Sequence, residues 1–212
     1  MNITYIPNFF NKERADAYFG DLTANVNWAR RDTTPRMEAF YSTLGKPYTY
    51  GSGGFERTYT PEPMEQASVL EINKSLTSVL EVIGGPIFEL CFLNRYLDQR
   101  DHLGWHADDS PEIDPTRPIA VVTFGAEREI WFKPQFCHIC KSTEKELTSS
   151  AAICSAHGTR PFTPNVDKVL LQHGSLLIMP AGYQQTHYHR IPKSDRICGE
   201  RISLTYRGAN LG

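Results

Sequence analysis

The run GWHADDS, residues 104–110, places an imidazole and two carboxylates within four consecutive positions, at His106, Asp108 and Asp109. Residues two apart on an extended segment point to the same side. His106 and Asp108 can therefore offer a nitrogen and an oxygen to one point. Two histidines and a carboxylate on one face of an ion make a facial triad suited to non-haem Fe(II), with the remaining positions open. The third ligand must come from far along the chain. The run THYHRIP offers His187 and His189, which share one strand parity. The plain alternative is a polar turn before Pro111, in which Asp and Ser bond their own backbone.

A second constellation lies in RISLTYR, where Arg201 and Arg207 fall six apart and on the same side of a strand. Two guanidiniums facing a barrel interior are costly unless an anion neutralises them. A dicarboxylate fits, because Arg binds carboxylates with two parallel donors. Exposed arginines on an edge strand are the alternative. A third constellation is Cys137-x-x-Cys140 followed by Cys154-x-x-His157. Paired ligands at this spacing predict a tetrahedral structural zinc site. The intervening KSTEKELTSSAAI is too polar to order itself, so a metal would have to fold it. The alternative there is a loop with incidental thiols; His138 is a spare donor. Cys91 and Cys198 read as small buried hydrophobes in strands.

The elements that must position these groups are mostly strands. IFELCFLNRYL, PIAVVTFG, EIWFKP, KVLLQHGSLLIMP, THYHRIP and RISLTYR are rich in β-branched and aromatic residues and are parted by Gly, Pro and Asp. Strands at this density predict a double-sheet jelly roll with helices outside. Val69, Ile72, Leu76, Val79, Leu80 and Ile83 recur at helical spacing before a Gly84-Gly85 stop, which predicts one helix packed on a sheet. NKERADAYFGDLTANVNW predicts another, whereas Asn27 to Tyr59 shows no sustained period. The expected fold is mainly β with flanking helices, built on a double-stranded β-helix core with a zinc-stabilised insertion. We expect one domain over 1–212: a helix and lid in 1–62, a supporting helix in 63–87, and the core in 88–207 with the insertion at 135–167.

The totals exclude several classes. The chain has 212 residues, 40% hydrophobic and 22% charged, with a formal net charge of −2. Any nucleic-acid surface must therefore be a local patch rather than a global basic bias. No apolar run approaches the ~20 residues of a membrane span, and MNITYIPNFF lacks the pattern of a signal peptide. Five cysteines then read as thiols or metal ligands in a reducing compartment. The expectation is a cytoplasmic monomer (nuclear in a eukaryote) with no membrane contact.

NRY at 94–96, HLGWHADD, VVTFGAEREIWF, HGSLLIMP, HYHRIP and RISLTYR occur in the order found in the AlkB family, which this chain resembles from about Phe88 to Arg207 outside the cysteine segment. The resemblance implies an Fe(II)- and 2-oxoglutarate-dependent dioxygenase that uses O2. It implies His106, Asp108 and His189 as iron ligands, with His189 preferred to His187 because Pro192 follows it at the family's spacing. It implies Asn94, Tyr96, Arg201, Ser203 and Arg207 as contacts of 2-oxoglutarate, Arg201 on the distal carboxylate and Arg207 near the iron. Ser203 stands where the family pattern has asparagine. The implied reaction removes alkyl groups of the 1-methyladenine or 3-methylcytosine type from DNA or RNA and yields succinate, CO2 and formaldehyde.

For the substrate base the resemblance points to Asp109, Tyr59 and Trp105. Asp109 would attract a cationic base, and a flipped base needs a flat ring to stack on. PYTYGSGGFERTYTPEP, residues 47–63, resembles the family's lid, with Tyr50 and Phe55 behind Tyr59. Arg30, Arg31, Arg36, Lys46 and Arg57 are expected to contact phosphates. Other readings are an oxygenase acting on tRNA, mRNA or a protein lysine, and a non-catalytic module that binds damaged nucleic acid. The complete set of triad and arginines counts against the module. Replacing Asp108 by Ala is expected to stop turnover and leave the fold near intact, because a ligand in an open site carries little packing.

Overall fold

The computed structural model describes residues 3–32, 34–50, 57–80, 87–136 and 165–211. In chain order these form β1 (Thr4–Ile6), α1 (Lys12–Asn25), β2 (Met37–Ser42), β3 (Tyr48–Tyr50), β4 (Arg57–Tyr59), β5 (Glu62–Pro63), α2 (Ala67–Ser75) and α3 (Thr77–Leu80). There follow β6 (Leu90–Tyr96), β7 (Leu103–His106), β8 (Ile119–Gly125), β9 (Arg128–Pro134), β10 (Asp167–Leu171), β11 (Ser175–Met179), a 3-10 turn at Tyr183–Gln185, β12 (His187–Ile191) and β13 (Arg201–Arg207). A seven-stranded sheet in the order β1-β11-β8-β13-β6-β2-β5 packs on a four-stranded sheet in the order β10-β9-β12-β7, and β3 pairs with β4 alone. This is the two-sheet architecture expected of the core. None of the described helices is long and apolar enough to cross a membrane.

Strand alternation divides the large sheet into two chemically different faces. Outward residues such as Leu93, Val122, Phe124, Leu176, Ile202 and Leu204 join Ala15, Leu22, Val69, Ile72 and Leu76 of the helices in one apolar cluster. Inward residues Tyr96, Ile119, Val121, Leu177 and Met179 meet Ile130, Phe132, Leu171 and Ile191 of the small sheet in another. Each fully buried aliphatic side chain contributes roughly 1.5–3 kcal/mol of transfer free energy. The helices thus hold the large sheet from behind and leave its inner face for chemistry.

Several expectations are refined. α1 forms where anticipated, opened by Asn11, whose side chain accepts from the Arg14 amide at 3.0 Å. The predicted second helix is broken at Leu76 into α2 and α3, where the Thr77 and Ser78 hydroxyls donate to the Lys74 and Ser75 carbonyls at 2.6 and 2.9 Å; within α2, Asn73 turns inward to exchange hydrogen bonds with the Phe88 backbone at 2.8 and 3.3 Å. Ile83 and Gly84-Gly85 lie outside the described residues. KVLLQHGSLLIMP is two strands, joined at Gly174, whose φ of 77° suits a residue without Cβ. The stretch from Asn27 to Tyr59 is not structureless: its MEAFYS forms β2, which pairs along its whole length with β6. Cys91 is a buried strand residue as expected, but Cys198 is only half-buried and sits in the loop between β12 and β13. Cys137, Cys140, Cys154, His157 and His138 lie outside the described residues.

Candidate active site

Register delivers the three metal-binding groups. β12 runs antiparallel to β7 with His189 directly opposite His106, and their ring centroids are 4.1 Å apart. Asp108 follows β7 by two residues, and Gln184 fixes its backbone by accepting from the Asp108 amide at 3.0 Å. One oxygen of Asp108 lies 3.8 Å from Nε2 of His106 and the other 3.9 Å from Nε2 of His189. The three donor atoms fall within 4.8 Å of one another, and no other His, Cys or acidic cluster among the described residues does the same. His187 turns elsewhere: it stacks on Tyr183 at 4.3 Å and pairs with the Thr186 hydroxyl at 2.8 Å.

The electrostatics suit a cation. Burial lowers both imidazoles, His189 to about 3, so they stay neutral with lone pairs to donate. His106 Nδ1 is 2.9 Å from the Gly104 carbonyl, which favours the tautomer that frees Nε2. Burial, the largest single influence, would raise Asp108, but the charge and hydrogen bond of Arg207 together with the two neighbouring imidazoles outweigh it and hold the carboxyl at about 2. Arg207 Nη2 donates to Asp108 Oδ1 at 2.8 Å. Oδ2 of Asp108 is buried without a hydrogen-bond partner, an orphan that an ion between it and the imidazoles would satisfy. The residues present therefore fit a divalent iron. The same ion pair corrects one expectation: removing Asp108 would strand a buried guanidinium, so Ala at this position cannot leave the fold near intact.

A polar row crosses the large sheet beside the triad. Ser175, Thr123, Ser203, Asn94 and Glu38 are paired in turn across β11, β8, β13, β6 and β2. All are buried. At the next inward level Arg201 lies opposite Tyr96 and is 1% exposed. Its Nη2 donates to Thr123 Oγ1 at 3.0 Å, while Nε, Nη1 and the Ser175 hydroxyl have no hydrogen-bond partner. Burial lowers Arg201 to about 10, which still leaves it charged at neutral pH. Unsatisfied donors around a buried cation require an acceptor, and a carboxylate supplies two oxygens at once. Asn94, Tyr96, Arg201 and Ser203 thus share one inner surface, and Arg207 continues it to the triad.

Two buried arginines were not legible as part of this site. Arg36 was expected at the surface on phosphate, but it is buried and its donors are taken by Asn94 Oδ1 at 2.5 Å and Glu38 Oε1 at 2.6 Å. By occupying the amide oxygen of Asn94 it leaves that residue's NH2 as the remaining polar group. Arg128 closes the far end by donating to the carbonyls of Asp98, Asp101 and Pro192. Only Arg128 had a signal, its place just before the run EIWFKP; Arg36 precedes a strand that no local pattern marks.

The base-contacting candidates are dispersed. Tyr59 lines a cavity with Arg36, Asn94, His106, Asp108 and Arg207. It is 7% exposed, its hydroxyl donates to Glu38 at 3.1 Å, and Arg31 covers its ring at 4.5 Å. Tyr48, from the paired strand, lines the same cavity and reaches Ser110 at 3.1 Å. Asp109 is exposed and borders a different cavity of about 200 Å³ on the far side of Asp108. Trp105 faces away from the iron ligands, on the outer side of the small sheet, against Arg190 and Lys133. Phe55 lies outside the described residues. Arg30 and Arg31 border a surface groove with His102, Arg57 reaches the Thr34 hydroxyl at 3.0 Å, and Lys46 is exposed.

The fold and the site together define a metal-dependent oxygenase, and the comparisons with known proteins agree. The family model described as the 2OG-Fe(II) oxygenase superfamily matches residues 2–207. DNA oxidative demethylase ALKBH2 of Mus musculus is 32% identical over 210 residues, which cover 93% of this chain and 76% of that protein. Alpha-ketoglutarate-dependent dioxygenase alkB homolog 3 of Bos taurus is 31% identical over 209 residues, 95% of this chain and 64% of that protein. The solved structure of OsALKBH1 superposes with a TM-score of 0.53 at 13% identity over 97% of both chains, a likeness of fold. This chain belongs to the 2OG-Fe(II) oxygenase superfamily, within it to the AlkB family, and is an Fe(II)- and 2-oxoglutarate-dependent dioxygenase.

Proposed function

We propose that the protein oxidatively removes alkyl groups from N-alkylated bases, of the 1-methyladenine or 3-methylcytosine type, in DNA or RNA. The observation that carries this reading is the continuity of the site: triad, buried arginine pair and polar row share one inner surface, and the β3–β4 hairpin with its tyrosines closes over it. His106, Asp108 and His189 hold Fe(II) through neutral imidazoles and a carboxylate. Arg201, with Thr123 and Ser175, binds the distal carboxylate of 2-oxoglutarate, and Asn94, Tyr96 and Ser203 line its path towards Arg207. Bound Fe(II) supplies the chemistry that couples O2 and 2-oxoglutarate to hydroxylation of the N-alkyl carbon, with succinate and CO2 released. The hydroxymethyl group then leaves as formaldehyde and returns the nitrogen to N–H. The protein's part is to position the alkyl group, exclude water and keep Asp108 ionised. Tyr48 and Tyr59 form the wall of the base pocket, and Arg30, Arg31 and Arg57 flank its mouth on the side of the phosphates.

The test is stoichiometric. Single-stranded DNA carrying 1-methyladenine should release formaldehyde and succinate in equal amounts, well above an unmethylated strand. Duplex DNA, RNA and a methylated lysine peptide are run in parallel. Release that is indifferent to the methyl group, or strongest on the peptide, would rule the reading out.

A structural zinc on Cys137, Cys140, Cys154 and His157 is proposed from their spacing. Elemental analysis after removal of iron should find about one zinc per chain, and Cys140→Ser should lose it without loss of the iron site. A zinc-free protein would end that proposal.

A further inference from the structure

Glu38 of β2 and Arg36 just before that strand form a charged pair deep in the protein. They are 4% and 8% exposed and bond at 2.6 Å. Replacing a buried ion pair by apolar groups of similar volume is often neutral or stabilising, so stability alone does not account for it. The backbone of Glu38 is clamped on both sides. It lies opposite Asn94 of β6, and on its other edge it exchanges hydrogen bonds with Ala29 at 2.8 and 3.0 Å. The carboxylate is therefore held at a fixed point.

Both oxygens of Glu38 are used, and they face different partners. Oε1 accepts from Arg36 Nη2, and Oε2 accepts from the Tyr59 hydroxyl at 3.1 Å. Arg36 Nε in turn donates to Asn94 Oδ1 at 2.5 Å. Tyr59, Glu38, Arg36 and Asn94 thus make one buried chain of hydrogen bonds. Its two ends serve different ligands. Tyr59 belongs to the hairpin and the base wall, and Asn94 to the 2-oxoglutarate surface. Among the described strands β3 and β4 pair only with each other, so side chains must tie this hairpin to the barrel. Tyr59 on Glu38 is one such tie, and Tyr48 on Ser110 at 3.1 Å is another. The first continues to Asn94, whereas the second ends in the loop after Asp108.

A base against Tyr59 restricts the hairpin and sets the hydroxyl on Glu38. In a low-dielectric interior each hydrogen bond polarises the next, so the effect carries along the chain. Glu38 then steadies Arg36 on Asn94 Oδ1, which leaves the Asn94 NH2 for the cosubstrate. We propose that Glu38 and Arg36 are positioning residues that couple the two ligands of the site. A base against Tyr59 tightens 2-oxoglutarate at Asn94, and 2-oxoglutarate tightens the base by the same factor, as linkage requires. The proposal rests on the base-pocket reading above and adds the route by which one ligand senses the other.

Binding measured without oxygen, with Fe(II) present and turnover blocked, reads the coupling directly. 2-Oxoglutarate is titrated by calorimetry with and without a saturating pentanucleotide that carries 1-methyladenine; the unmethylated pentanucleotide is the control probe. In the unmodified protein the methylated probe should tighten 2-oxoglutarate about tenfold, a usual size for such a coupling. Tyr59→Phe removes one hydroxyl and should bring that ratio close to one. Glu38→Gln cannot accept from both Arg36 and Tyr59 and should do the same. The two changes together should lower the ratio no further. Tyr48→Phe cuts the hairpin's other tie and should keep the ratio near the parental value. A purely structural role would weaken each affinity without abolishing the dependence of one on the other. A ratio that survives Tyr59→Phe and Glu38→Gln, or that is lost equally in Tyr48→Phe, would overturn the proposal. So would a parent protein that prefers the methylated probe yet binds 2-oxoglutarate equally with and without it, a result that leaves the base reading standing. A parent protein that binds both pentanucleotides alike refutes the base reading itself, and the coupling with it.

Discussion

Asp108→Asn should abolish 2-oxoglutarate turnover, while the protein folds to nearly its normal stability. The amide keeps an oxygen for Arg207 Nη2, now at 2.8 Å from the carboxylate, and fills the same volume. It removes the charge that a divalent ion requires of its one anionic ligand. Asp108→Ala should be equally inactive and markedly less stable, because Arg207 is 7% exposed and would be left as a buried, unpaired cation. Removing one partner of such a pair typically costs about 3–5 kcal/mol. Thermal unfolding of the iron-free proteins separates the two effects: Asn should track the unmodified protein, and Ala should melt well below it. A double variant, Asp108→Ala/Arg207→Met, should regain part of the loss without regaining activity. Parental activity in Asp108→Asn would disprove the ligand assignment. Equal stability of Asn and Ala would disprove the account of Arg207 as its counter-ion.

The triad and the arginines were legible because strand geometry has a period of two, and the spacings in His-x-Asp and RISLTYR are even. What parity could not decide was His187 against His189, which share a face. Pairing decided it: His189 lies across from His106, while His187 lies across from Pro134 at the end of β9. The same rule already turned Trp105 away from His106, so its place on the outer face follows from local sequence. β2 was hidden for a different reason. MEAFYS has no β-branched residue, and what makes it a strand is pairing with β6, some fifty residues on, which no local pattern encodes. Its Glu38, and Arg36 just before it, look like surface charges in the sequence and prove to be a buried pair at 2.6 Å. Tyr59 was recognisable as part of the lid, but a sequence cannot show that Arg31 would cover its ring.

Arg201→Ala should raise the KM for 2-oxoglutarate roughly ten- to a hundredfold, the equivalent of ~1.5–3 kcal/mol for a charge-assisted contact. The KM for the methylated strand should stay unchanged, because Arg201 lies on the inner face of β13 at the end away from Arg207 and the triad. Fold stability should fall less than the size of the side chain suggests. The guanidinium is 1% exposed with Nε and Nη1 unsatisfied, so its removal also relieves a desolvated charge. Arg201→Lys is the sharper probe. It keeps the charge but loses the planar fork that meets both carboxylate oxygens, so its KM should fall between the parent and Ala. Succinate release measured against 2-oxoglutarate concentration at saturating methylated strand reads all three. If Lys matches the parent, a point charge is enough and the two-donor contact is refuted. If Ala matches the parent, the buried cation serves the barrel alone, and the row of Ser175, Thr123 and Ser203 beside it needs another ligand.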